Sequence, residues 1–169
     1  LEAKVKELEK SIVELEATGS LIIASGKTLS GTGTWNKTGA GIAQFQNTTV
    51  SASGQFNIQA GTLQNNLNAS NWSGNTANMD ISAGAILDLY ADAVFVNQLT
   101  GSGIVQNGYG NATGFSGSGA NIEKLVVGVA GGTSTFSGII RNNSGNNLPN
   151  ATTTNGGGTT CNAPTNLTT

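Results

Sequence analysis

Two tryptophans carry most of the chemical information in this sequence, because each interrupts a run of small polar residues. The runs are Gly33-Thr34-Trp35-Asn36-Lys37-Thr38 and Asn68-Ala69-Ser70-Asn71-Trp72-Ser73-Gly74. Burying an indole there strands polar neighbours, whereas exposing it gives a flat apolar platform of the kind that stacks on a pyranose ring. On this ground Trp72 is expected outside; for Trp35, platform and coil-edge core both stay open. Tyr109, in Asn107-Gly108-Tyr109-Gly110-Asn111, offers a third platform, and Tyr90, alternating with Leu89, an outward fourth. Asn36 and Asn71 place amides beside the indoles that can bond sugar hydroxyls, although amide ladders inside turns are the commoner use of such residues.

The carboxylates are the other residues whose type could do chemistry. Asp88 and Asp92 on one extended strand stand roughly 13 Å apart, too far for a glycosidase pair at about 5 to 9.5 Å unless the chain turns at Ala91. The chain has no His and a single Arg. A noncatalytic protein is therefore expected, with calcium at Asp88 and Asp92 left open and solvated acids the default. Gly31-Thr32-Gly33 and Gly117-Ser118-Gly119 lack the third glycine or the lysine of a phosphate loop, so no cofactor is expected.

The elements that must position these residues follow from repetition. Leu29-Ser30-Gly31-Thr32-Gly33 returns 70 residues later as Leu99-Thr100-Gly101-Ser102-Gly103, and Ala60-Gly61-Thr62-Leu63 returns after 23 as Ala83-Gly84-Ala85-Ile86. A period near 23 predicts a solenoid, each coil burying its apolar side against its neighbours. Strands are expected at residues 21–23, 42–45, 56–58, 86–89, 94–96, 125–129 and 136–140. Leu29, Leu63, Ile86 and Leu99 are expected on an interior ladder, with Phe45, Phe56, Phe95 and Phe136 also inside.

Residues 1–19 differ from the rest. Leu1, Val5, Leu8, Ile12 and Leu15 repeat at four and three with Glu and Lys between, the pattern of an amphipathic helix. It serves either as a cap on the first coil or as a coiled-coil segment through which the chain homo-oligomerises. This segment also holds half of the charged residues, which are 9% of the 169-residue chain. Beyond it Lys27, Lys37, Lys124 and Arg141 balance Asp80, Asp88, Asp92 and Glu123, so neither nucleic acid nor a membrane surface is an expected partner. Residues 20–150 form the solenoid, and the Thr/Asn/Gly-rich stretch 151–169 reads as a linker into a further module.

Several of these phrases resemble known families. Residues 99–107, 125–132 and 135–140, with 33–41 and 58–63, resemble the repeats associated with autotransporter passenger domains, which implies an all-β, right-handed parallel β-helix. Cys161 to Thr169 resembles the opening strand of a fibronectin type III module. A neutral β-helix in such a chain is similar to the xylan-binding β-helical modules of secreted, multidomain gut-bacterial enzymes. That likeness implies an extracellular carbohydrate-binding module that holds plant cell-wall polysaccharide near an attached glycoside hydrolase domain. The alternative is a structural stalk, of an adhesin or autotransporter passenger or of a trimeric phage-type fibre.

Overall fold

The computed structural model describes residues 12–16, 19–23, 25–66, 70–90, 93–107, 124–142, 152–155 and 160–162. The chain winds as β1 (Ile12–Glu16), β2 (Ser20–Ile23) and β3 (Thr28–Gly31), then β4 (Thr34–Thr38), β5 (Ile42–Gln46) and β6 (Thr49–Ala52). Next come β7 (Gln55–Ile58) and β8 (Thr62–Asn66), then β9 (Asn78–Ile81), β10 (Ile86–Asp88) and β11 (Ala93–Val96). The last are β12 (Leu99–Gly101), β13 (Ile104–Asn107), β14 (Lys124–Val127), β15 (Ile139–Asn142), β16 (Thr152–Asn155) and β17 (Thr160–Asn162).

Every described strand but the last pairs in parallel with a counterpart one coil away, which makes an all-β parallel solenoid of about 4 turns. The first wall is β1-β4-β7-β9-β12 and the second is β2-β5-β8-β10-β13-β15. The third begins with β3 and β6, continues through a bridge from Thr49 to Asn71, and resumes as β11-β14-β16, edged by antiparallel β17. Short strands with alternating burial account for this shape: Phe56 and Ile58 point in while Gln55 and Asn57 point out. Stacked inward positions make one thin core, for example Phe56 over Met79 over Leu99 on the first wall and Ala43 over Leu63 over Leu87 on the second.

The first coils keep close to the expected 23, with partners 22 residues apart at Ser20 and Ile42, 21 at Trp35 and Phe56, 23 at Phe56 and Met79 and 24 at Gln64 and Asp88. The length then varies, to 18 at Ile86 and Ile104 and 35 at Gln106 and Arg141. The two copies of the repeated phrase do not stack. Leu29 belongs to the third wall, paired with Val50, and Leu99 to the first, paired with Met79. What the copies share is a corner: Gly31 has φ of 121° and Gly101 of 97°, a region open to glycine and strained for other residues. One interior assignment also changes. Thr62 and Ile86 are partners on the outer side and Leu87 stacks on Leu63, so Ile86 faces out. Phe95 alternates away from the column of buried Val94 and Val96 and is half-buried, yet it still packs against the core. Leu63, Leu99, Phe45, Phe56 and Phe136 are buried as expected.

Residues 1–11, most of the expected helix, lie outside the described residues, and Ile12–Glu16 run as a strand beside β4. In the expected linker, β16 lies parallel to β14 and β17 pairs with it. Threonine-rich segments suit strands, and an open parallel edge offers them a template.

The shared corner gives a contrast that separates local conformation from packing. A methyl added at Gly31 meets nothing, whereas at Gly101 it runs into the Ile81 carbonyl. In urea unfolding Gly31→Ala is expected to destabilise by about 1 kcal/mol and Gly101→Ala by about 3 kcal/mol or more. Equal effects would mean that the two phrases occupy equivalent sites.

Candidate functional site

Both tryptophans face the interior. Trp72 is 1% exposed, which corrects its expected role as an outside platform. Its ring lies edge-on to Phe45 with centroids 5.5 Å apart and tilted on Phe56 at 5.8 Å, and its Nε1 donates to Asn65 Oδ1 at 3.3 Å. Polar neighbours are not stranded by this burial because they turn elsewhere. Asn71 is exposed, and its Oδ1 accepts from the Ser73 backbone N–H and hydroxyl, closing a local turn. Ser70 points inward and donates to the Phe45 carbonyl. Trp35 is half-buried in the same column as Phe56, its ring stacked on the Phe56 ring at 6.1 Å. The core reading, not the platform reading, is the one its position fits.

The remaining candidates scatter. Asn36 lies on the outer side of the first wall, where its Oδ1 accepts from Asn57 Nδ2 at 2.8 Å. Tyr90 is half-buried at the corner after β10, with φ of 42°, and its backbone N–H donates to Asp88 Oδ1. Tyr109 and Asp92 lie outside the described residues. Asp80 and Asp88 sit on different walls: Asp80 accepts from the Thr100 hydroxyl at 2.7 Å, and Asp88, 4% exposed, accepts from Gln64 Nε2 at 3.2 Å.

What the sites share is a rung-to-rung ladder on the outer side. Gln44 donates to Gln64 and Gln64 to Asp88 on the second wall, where Arg141 also donates to Gln106 at 3.1 Å. On the first wall Asn57 reaches Asn36, and from the corner before β12 Asn97 Nδ2 reaches Asn78 at 3.1 Å. The sequence signal was present in the alternation of amides with apolar residues, but the partner of each amide depends on coil lengths that vary.

Lys37 was missed altogether. It is 2% exposed, in the inward column with Ile58 and Ile81, and its ammonium donates to the carbonyls of Thr38, Gly39 and Ala60 at 2.7, 2.8 and 3.0 Å. The three acceptors replace water around the charge, while burial still lowers its pKa from 10.5.

No protein family, curated protein or solved structure matches the chain.

Two measurements follow from these placements. Trp72→Ala is expected to cost about 3–5 kcal/mol of stability, as a core truncation does, where loss of a surface platform would stay within about 0.5 kcal/mol. For Lys37 the unfolded chain holds its proton to a higher pH than the folded one. Stability is therefore expected to rise as pH passes from the lowered pKa up to 10.5. Comparing urea midpoints of the wild type and Lys37→Met across that window reads the effect, which the variant should lack.

Proposed function

We propose that the chain is a noncatalytic structural segment of an extracellular protein, a β-solenoid stalk of the adhesin or passenger type. The side-chain ladders support this most directly. Outward Asn, Gln, Asp and Thr groups bond their counterparts one coil away, so their polar capacity tightens the stack instead of pointing outward to a ligand. The aromatic cluster of Trp35, Phe45, Phe56 and Trp72 likewise holds coils together. A near-neutral composition suits a spacer, which carries no charge-driven attraction of its own.

One observation favours a second reading, in which the module binds plant polysaccharide, xylan first, for an attached hydrolase. Tyr90 holds a left-handed backbone that bulky side chains rarely adopt, and it does so at the edge of the Gln44-Gln64-Asp88 ladder. Strain of about 1–3 kcal/mol at a half-exposed aromatic is a mark of functional positions.

Affinity electrophoresis in gels containing xylan, cellulose or mannan distinguishes the two. The stalk predicts unchanged mobility in all three. Retardation that Tyr90→Ala abolishes would overturn it in favour of the polysaccharide module.

A further inference from the structure

We propose that Asn71 is a glycosylation site, whose side-chain nitrogen accepts an oligosaccharide from a lipid-diphosphate carrier. The motif that such a transfer reads is Asn-x-Ser/Thr with x other than Pro. Three copies lie wholly within the described residues: Asn36-Lys37-Thr38, Asn47-Thr48-Thr49 and Asn71-Trp72-Ser73. In a chain rich in Asn and Thr the motif arises readily, so the geometry of each copy has to discriminate.

Asn36 is half-buried in a strand, and its Oδ1 is taken by Asn57 of the next coil. Asn47 is exposed, but its Nδ2 donates to the Ser25 hydroxyl at 2.9 Å, and the Thr49 backbone N–H of its motif is spent on the Lys27 carbonyl. Asn71 differs in each respect. Its backbone is pinned to the coil beneath, the N–H donating to the Thr48 carbonyl at 2.9 Å and the carbonyl accepting from the Val50 N–H at 2.8 Å. The side chain is exposed, and its Oδ1 accepts both donors of its own motif, the Ser73 N–H at 2.9 Å and the Ser73 hydroxyl at 2.7 Å. Among the described residues nothing bonds its Nδ2. Approach is open as well: Trp72, the middle residue, is buried, and the exposed neighbours Thr49, Ser51 and Gly74 are small.

An amide nitrogen is a weak nucleophile because its electron pair is delocalised onto the oxygen. Two hydrogen bonds donated to Oδ1 stabilise negative charge there, which eases loss of a proton from Nδ2. The transfer then balances without any redox step. Nδ2 bonds to the anomeric carbon, the bond from that carbon to the diphosphate oxygen breaks, and the lipid diphosphate leaves with the electron pair. The Nδ2 proton passes to a carboxylate of the transferase and on to water. The inference rests on the extracellular location that both readings of function share, but its test uses purified protein and so stands or falls apart from them.

The folded full chain is incubated with a single-subunit oligosaccharyltransferase and a polyprenyl-diphosphate-linked oligosaccharide, and occupancy is read by peptide mapping in a mass spectrometer. A glycan is expected at Asn71, with Asn36 and Asn47 occupied at least about tenfold less. Ser73→Ala keeps the backbone donor and removes only the hydroxyl; it should lower occupancy at Asn71 by at least about tenfold with unchanged thermal unfolding, and Ser73→Thr should restore it. Synthetic peptides of residues 33–40 and 44–51 are expected to accept the sugar, since outside the coil their amides are unengaged. No glycan on the folded chain, equal occupancy at the three motifs, indifference to Ser73→Ala, or peptides that stay unmodified would each overturn the proposal.

Discussion

Parallel main-chain pairing between successive coils is the constraint on which the rest of this structure depends. Apart from the antiparallel β17, each described strand lies parallel to at least one strand of a neighbouring coil, so its paired residues stack on residues of the same orientation roughly 4.8 Å away. Inward residues must therefore tolerate stacking on inward residues, and outward ones on outward ones. The interior meets this with apolar columns and with one interlocked aromatic group, in which Trp72 contacts both Phe45 and Phe56. The exterior meets it with amides, whose paired donor and acceptor let a column of Asn or Gln bond along its own length.

Lys37 marks the limit of that rule. Its column continues as Ile58 and Ile81, so an ammonium sits where stacking calls for an apolar side chain. It is accommodated because the chain turns at Thr38 and Gly39, and again at Ala60, exposing carbonyls that the strand ladders leave available. A buried charge that finds three acceptors is held in place by the alternative, which is an unsatisfied ion in a low-dielectric core. That makes it a positional marker: a shift of one residue between β4 and β7 would separate the ammonium from the Ala60 carbonyl.

Much of the wall pattern could be read from the sequence, and the failures have physical causes. Residues 56–58 announce themselves as a strand because apolar and amide residues alternate cleanly, and Ala43-Gln44-Phe45 does the same within 42–45. The repeat was misplaced because Leu-Ser-Gly-Thr-Gly and Leu-Thr-Gly-Ser-Gly encode a local corner conformation, and a three-walled coil has several corners able to use it. Ile86 faces out where the interior ladder was expected to hold it, because a three-residue strand with apolar side chains on both faces carries no alternation signal. Trp72 was misread because polarity was averaged over neighbours, whereas Asn71 and Ser73 use their polar groups in a turn that leaves the intervening indole free to point inward. Lys37 was legible in principle. Once Trp35 is taken as inward, strict alternation places Asn36 outside and Lys37 inside, and only the rarity of buried lysine argued against it.

The same stacking logic explains why isoleucine appears on the outside at all. On a wall whose outward residues must stack, an apolar column is as self-consistent as an amide column, and β-branched side chains suit the pleat on either face. A column of isoleucines on the second wall therefore satisfies the demands of the strand ladder without reference to any partner. What the ladder does not demand is that the exposed large hydrophobics share that wall, beside a column holding one acid and one base, while the outer sides of β4, β7 and β9 carry Asn36, Asn57 and Asp80 and those of β3 and β6 carry serine and threonine. The third wall shows the same tolerance, since Phe95 stacks on Val126 on the side opposite buried Val94 and Leu125, so a strand ladder accepts an apolar pair or an amide pair on its outer side with equal geometric ease.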